Sequence, residues 1–323
     1  MNVRASVDAG EISRVVCVGG GLIGAGWAAH FVRAGLDVVV YDPAPEREAY
    51  LRDSLDAAMP TLTRLGLAPG ASPDRLSFTS DLEEALAGAD FVQESAVEDR
   101  DAKTALLARI DAIVPAGVVI ASSSSGFLAE DIRRAARHPE RIIIGHPFNP
   151  PFLVPLVEIA GGDRAPAAAA LAARFYSATG CEVVHLSREI DGYIGNRVQF
   201  AVFREILYMW SQGVADLATI DRAVKAGPAL RWAVMGPSAV FFLGARDPSL
   251  YGEFVSLLLH ELNSGYTAPA GFVPDAALME RYAQEVVASL GREGQAQLQA
   301  LRDVGVASIR IALADLGNVV PAR

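Results

Sequence analysis

The chain has 323 residues, 51% hydrophobic and 20% charged, with a formal net charge of −10. That balance leaves room for two domains with sizeable cores and excludes a disordered chain, while the acidic charge and the lack of any basic run exclude a nucleic-acid surface. No apolar run approaches the roughly 20 residues that span a bilayer, no secretory segment opens the chain, and two cysteines (Cys17, Cys181) without metal-ligand spacing suit a reduced, cytoplasmic setting with no metal.

The first element is an apolar strand, Val15 to Val18, which runs into Gly19-Gly20-Gly21-Leu22-Ile23-Gly24 and then into a helical pattern. Gly35 ends that helix, and a second apolar strand closes at Asp42. A strand, a G-x-G-x-x-G turn and a helix form the βαβ unit that binds a dinucleotide. Gly19 permits the tight turn, Gly21 admits the pyrophosphate to the backbone, and Gly24 lets helix and strand pack closely. Leu22 and Ile23 open the helix, whose free N–H groups and partial positive charge attract phosphate. A carboxylate at Asp42 accepts from the ribose hydroxyls and repels a 2′-phosphate, which selects NAD over NADP despite the nearby Arg47.

Beyond Asp42 the pattern predicts a helix from Glu46 to Leu65, bent or divided at Pro60, and a strand from Arg75 to Phe78. Asp81 is the expected N-cap of a helix over Leu82–Ala87. Strands over Phe91–Ser95, Gly117–Ala121, Arg141–Gly145, Val154–Ile159 and Cys181–Leu186 alternate with helices over Ala102–Ile113, Ala129–Arg137 and Ala167–Thr179. Such alternation implies an α/β fold, a Rossmann-type doubly wound and mostly parallel sheet, with ligands beyond the carboxyl ends of its strands. From Asp191 onward only helical periodicity remains, over Tyr193–Gln212, Leu217–Ala226, Pro237–Leu243, Leu250–Leu262, Asp275–Gly291 and Glu293–Leu316. The expected organisation is an NAD-binding domain over residues 1–188 and an all-helical domain over 189–323.

Chemistry concentrates just after the strands. A histidine is the side chain whose reference pKa, about 6.5, suits accepting a hydroxyl proton at neutral pH, so His146 is a candidate base, although its position fits a simple strand cap equally well. Glu158 interrupts an apolar strand, so it needs a partner unless it faces solvent on an edge strand. If that partner is His146, Glu158 fixes its tautomer. Ser125 ends the run Ser122 to Ser125, which also reads as a plain turn, and Asn196 sits in the first turn of the second domain's first helix.

Taken together, GGGLIG, Ser122–Ser125, GHPFNPPFLVPLVE, DGYIGNR and MGP resemble the L-3-hydroxyacyl-CoA dehydrogenase superfamily. The likeness is greatest to the branch that holds lambda-crystallin (L-gulonate 3-dehydrogenase) and L-carnitine dehydrogenase. The resemblance implies an NAD-dependent oxidoreductase in which His146 is the base, Glu158 its partner, and Ser125 and Asn196 the holders of the reacting oxygen. It further implies that Glu98, Lys103 and Asn149 contact the cofactor and that the helical half forms a homodimer. Arg231-Trp232, ahead of Met235-Gly236-Pro237, matches the free-acid branch, where an arginine can bind a carboxylate with two parallel bonds. A small free 3-hydroxy acid, carnitine- or gulonate-like, is therefore the expected substrate. The alternatives are a CoA thioester and a non-catalytic NAD-binding role. Trp232, Phe241 and Phe242 suit a quaternary ammonium by cation–π contact, but also plain core. Phe241-Phe242-Leu243 departs from the branch's F-H-L and points to a less polar or specialised substrate.

Overall fold

Strand β1 (Arg14–Val18) alternates its side chains between two apolar layers, with Val15 and Cys17 on one face and Val16 and Val18 on the other. That period of two, buried on both sides, marks a central strand of a covered parallel sheet. The computed structural model describes residues 9–245, 249 and 251–319. After β1 come α1 (Leu22–Arg33), β2 (Asp37–Tyr41), α2 (Arg47–Leu65), β3 (Leu76–Thr79), α3 (Leu82–Leu86) and β4 (Phe91–Glu94). They are followed by α4 (Arg100–Ile113), β5 (Val119–Ser122), α5 (Ala129–Arg133), β6 (Ile142–Pro147), β7 (Leu156–Ala160), α6 (Pro166–Ala178) and β8 (Glu182–His185). The eight strands form one sheet in the order β3-β2-β1-β4-β5-β6-β7-β8. Every pair is parallel except β6 with β7.

Trp27, Phe31, Leu51, Leu62, Phe175 and Tyr176, from α1, α2 and α6, cover one face. Leu82, Leu86, Leu107, Ile110 and Ile132, from α3, α4 and α5, cover the other. Because β1 lies between β2 and β4, the chain order reverses there, and a crevice opens beyond the ends of β1 and β4. This is the doubly wound sheet expected from the alternation.

Several details differ from the sequence reading. α2 runs unbroken through Pro60. α5 stops at Arg133 rather than Arg137, because the Asp111 carboxylate takes the N–H groups of Arg137 and His138 out of the helical pattern. Glu158 lies on an interior strand, with β8 at the edge, and is 1% exposed. The edge-strand alternative for this carboxylate is therefore removed.

The chain divides into two compact units, Met1–Gly195 and Asn196–Arg323. The division falls a few residues beyond the expected 188/189 boundary, inside the first turn of α7 (Tyr193–Ser211). Tyr193 and Gly195 explain the delay. The Tyr193 ring is 1% exposed with its centroid 5.1 Å from that of His146, and a Cβ on Gly195 would lie 2.4 Å from the Phe148 ring. The second unit consists, among the described residues, of helices: the rest of α7, α8 (Leu217–Ala226), α9 (Pro228–Trp232), α10 (Pro237–Phe242), α11 (Tyr251–Asn263) and α12 (Ala276–Val319). The two helices expected after Asp275 are one, 44 residues long. At 1.5 Å per residue it extends about 66 Å.

Candidate active site

The glycine turn is built as a dinucleotide seat. Gly19 has φ +105°, and a Cβ there would lie 2.6 Å from Ser95 O. A Cβ on Gly24 would stand 1.8 Å from Gly19 O, so only glycine fits either place. Gly21, by contrast, has no atom within 4 Å of where its Cβ would be, which leaves its backbone open to a ligand. Gly21 is also the N-cap of α1 and offers no side-chain acceptor to the free N–H groups of that helix, whose first turn holds Leu22, Ile23 and Gly24. Asp42 Oδ2 accepts from Gly20 N–H at 2.8 Å and Oδ1 from Ala44 N–H at 3.0 Å, so this carboxylate also clamps the turn. A cavity of about 490 Å³ lies here, lined among others by Gly19, Gly21, Asp42, Arg47, Ser95 and Ala96. An open glycine backbone, an uncapped helix end and a carboxylate at the second strand fit the group that the sequence motif implies.

Next to this cavity, Lys103 is buried with a salt bridge to Glu94 of β4. Its ammonium has three protons and three acceptors: Glu94 Oε1 at 2.7 Å, Ala96 O at 3.1 Å and Glu98 Oε2 at 3.3 Å. All its donors are engaged within the protein, so Lys103 organises the 94–98 segment. Glu98 Oε1 in turn accepts from Ser124 Oγ–H (2.6 Å), Ser125 N–H (3.0 Å) and Gly126 N–H (2.9 Å). Burial pushes the Glu98 carboxyl up, but the Ser124 hydroxyl, the Gly126 N–H and the Lys103 ammonium outweigh it and hold it below the ordinary carboxylate range.

The serine run is thus divided by role. Ser122 donates to Glu94 and Ser124 to Glu98, both buried, whereas Ser123 joins Trp27, Gln93 and Ser95. Ser125 alone is exposed, held by its backbone with its hydroxyl available.

His146 and Glu158 face each other across the antiparallel β6–β7 pair. Glu158 Oε2 lies 3.0 Å from His146 Nδ1, with both side chains buried. Glu158 Oε1 accepts from the N–H groups of Ile194 (2.8 Å) and Gly195 (3.1 Å) at the start of α7. Burial raises the Glu158 pKa, but the His146 hydrogen bond and those two N–H groups dominate and hold it lowered. A carboxylate bound to Nδ1 makes that nitrogen the donor and leaves Nε2 as the basic atom of the neutral ring. Asn149 follows β6, exposed, at a cis bond to Pro150.

Asn196 is the residue after Gly195 on α7, half-buried, and opens the second unit. Within that unit, Arg231 sits at the end of α9 beside a cavity of about 460 Å³ whose other walls, such as Leu230, Val234, Met235, Val240 and Leu243, are apolar. No ion pair engages Arg231 among the described residues. Trp232, also on α9, is 36% exposed.

Four residues that hydrogen-bond to or pack against the predicted site residues are not singled out by the sequence reading: Glu94, Ser124, Ser95 and Tyr193. Glu94 was within reach, because a carboxylate closing the apolar run Phe91–Glu94 signals a buried partner as surely as Glu158 does. Tyr193 gives no such sign. Its φ of +50° and its hydroxyl bond to Phe127 O exist only in the folded chain.

Known proteins resemble this chain over nearly its whole length. Residues 14–190 match the family described as 3-hydroxyacyl-CoA dehydrogenase, NAD binding domain, and residues 192–251 match the corresponding C-terminal domain. The chain is 47% identical over 317 residues to the L-carnitine dehydrogenase of Streptomyces coelicolor, covering 97% of this chain and 98% of that one. It is 48% identical over 303 residues to the enzyme of the same name from Streptomyces griseus, covering 93% and 89% respectively. Among solved structures, 5-formyl-3-hydroxy-2-methylpyridine 4-carboxylic acid 5-dehydrogenase, an NAD+-dependent dismutase, superposes with a TM-score of 0.82 at 28% identity, over 94% of this chain and 99% of that one.

Proposed function

The chain belongs to the 3-hydroxyacyl-CoA dehydrogenase family and is an NAD-dependent dehydrogenase acting on a CH–OH group, and from this premise we propose that it oxidises the 3-hydroxyl of L-carnitine as a free acid. The pair His146–Glu158 carries the chemical reading, and the near-half identity with L-carnitine dehydrogenases supports the substrate.

In this reading His146 Nε2 takes the hydroxyl proton. Glu158, ionised and held by Ile194 and Gly195, stabilises the imidazolium that results. Ser125 and Asn196 hold the reacting oxygen. NAD, when bound, supplies the hydride acceptor. Gly19, Gly21, Leu22, Ile23 and Gly24 would present the backbone to it, Asp42 would select the unphosphorylated ribose, and Asn149 would contact its nicotinamide end. Glu98 borders the same site and anchors Ser125, with Lys103 as the positioning residue behind it. Arg231, beside an apolar cavity and without an ion pair among the described residues, binds the carboxylate, and Trp232 offers an aromatic face to the ammonium. A two-domain assignment at 1–188 and 189–323 keeps the catalytic pair in the first domain. Two free, buried cysteines support a cytoplasmic setting. Exposed apolar side chains on the helical unit, Phe200, Leu257, Leu259 and Leu301 among them, support a homodimer.

NADH formation from L-carnitine, compared with L-3-hydroxybutyryl-CoA, tests the reading. Turnover of L-carnitine with KM raised about 10- to 100-fold in Arg231→Met, the loss of a charged hydrogen-bonded pair, is the expected result. Turnover of the thioester alone, or an unchanged KM in the variant, removes the free-acid assignment.

A further inference from the structure

Beneath the glycine turn runs a chain of hydrogen bonds for which the proton transfer at His146 has no use. It begins at Tyr176, fully buried, whose hydroxyl donates to Gln93 Oε1. The orientation of the Gln93 amide follows from its other neighbour. Gly145 O, an acceptor, lies 3.4 Å from the second amide atom, which must therefore be the nitrogen. That nitrogen donates to Ser123 Oγ at 2.8 Å. Trp27 Nε1–H, which can only donate, reaches the same oxygen at 3.1 Å. Both acceptor positions of Ser123 are thereby filled. Its own proton goes to Ser95 Oγ, 2.8 Å away. Ser95 accepts from Ser123, so the Ser95 proton has to point elsewhere.

The setting of Ser95 defines where. It follows β4 directly, and its N–H donates to Val18 O at 2.7 Å, which ties it to the end of β1. Its carbonyl bars a side chain at Gly19, and its Cβ is 3.7 Å from where a Cβ of Gly24 would be. It is half-buried and lines the cavity together with Gly19, Gly21 and Asp42. We propose that Ser95 is a cofactor-binding residue whose hydroxyl, oriented by Tyr176, Gln93 and Ser123, donates a hydrogen bond to the pyrophosphate of NAD. A pyrophosphate is the matching acceptor class because Ser95 abuts both ends of the turn whose open backbone and helix N-terminus attract anionic oxygen. A hydroxyl fixed in advance loses little rotational freedom on binding. The assignment rests on the NAD dependence stated above.

Calorimetric titration of the full chain with NAD, ADP-ribose and AMP, for wild type, Ser95→Ala and Ser95→Thr, tests it. Ser95→Ala is expected to weaken NAD and ADP-ribose alike by about tenfold, the loss of one charge-assisted hydrogen bond. It is expected to leave AMP, which lacks a pyrophosphate, unchanged. Ser95→Thr, which keeps the hydroxyl, is expected to bind all three as the wild type does. NAD affinity that survives Ser95→Ala, or a loss shared equally by AMP, overturns the assignment. A wild-type chain with no affinity for NAD overturns the cofactor reading itself, before any variant is compared.

Discussion

The two units are apolar in different places. In the first, a sheet with both faces covered buries Trp27, Phe31, Phe91, Phe175 and Tyr176 almost completely. In the second, the buried apolar side chains among the described residues are Leu207, Ile220, Ala268 and Ala307, while Phe200, Leu257, Leu259 and Leu301 are more than half exposed. The first unit thus closes its own core. The second leaves apolar helix faces exposed. The contrast extends to polar groups. The His146–Glu158 and Glu94–Lys103 pairs are buried in the first unit, whereas in the second no ion pair engages Arg231 among the described residues. Among the described residues, the buried ion pairs thus lie in the first unit and the large exposed apolar faces in the second.

This contrast can be broken experimentally. The largest effect is expected from His146→Ala, which removes the proposed base from the first unit. Its kcat should fall about 10³-fold, within the range for losing general acid–base catalysis, while NAD affinity by titration stays unchanged. Equal loss of both would mean that His146 supports the fold rather than the reaction. Next comes Lys103→Met, which leaves Glu94 buried and uncompensated. A destabilisation of about 3–5 kcal/mol is expected in denaturant unfolding. The double variant Lys103→Met with Glu94→Leu should recover much of it, since the pair's desolvation then no longer has to be offset.

Leu301→Asp, on the exposed face of α12, probes the second unit. If that face meets a second copy, light scattering should report a smaller species with NAD affinity unaltered. If the helices close on themselves, the change should be neutral, within about 0.5 kcal/mol.

The smallest effect is in pH. Glu158 and Glu98 both have folded-state pKa values below the ordinary carboxylate value. Their contribution to stability is therefore complete above about pH 5, above the unfolded value of about 4.3, and is lost as pH falls through the lower folded values. Glu158→Gln should flatten the acid limb of a melting-temperature profile while leaving the profile above neutrality parallel to wild type.

Composition and pattern revealed a large part of this molecule because its first half obeys local rules. The glycine turn, the strand alternation and the Asp81 N-cap, which accepts from Glu83 and Glu84 N–H, are all short-range features. The helix ends were harder to read. Asp111 shortens α5 from a distance in sequence, and no glycine or proline interrupts 276–319 in a way that ends a helix: Gly291 costs some stability but removes no hydrogen bond. At the site, His146 and Glu158 stood out as polar residues at the ends and middle of apolar strands. Their pairing was legible from the residues only as a condition, and otherwise as what the family resemblance implies, because it depends on β7 turning back antiparallel along β6.

By itself the sequence determined the doubly wound class, the place of the dinucleotide turn and the residue types that the reaction needs, since each follows from periodicity or from a short motif whose chemistry is local. Tertiary structure alone decided that Lys103 faces carboxylates and a carbonyl, that Ser125 is the free serine of its run, and that Ser95 has a directed proton. Those outcomes depend on how many donors and acceptors meet in one buried volume, and that count exists only once distant strands have been brought side by side.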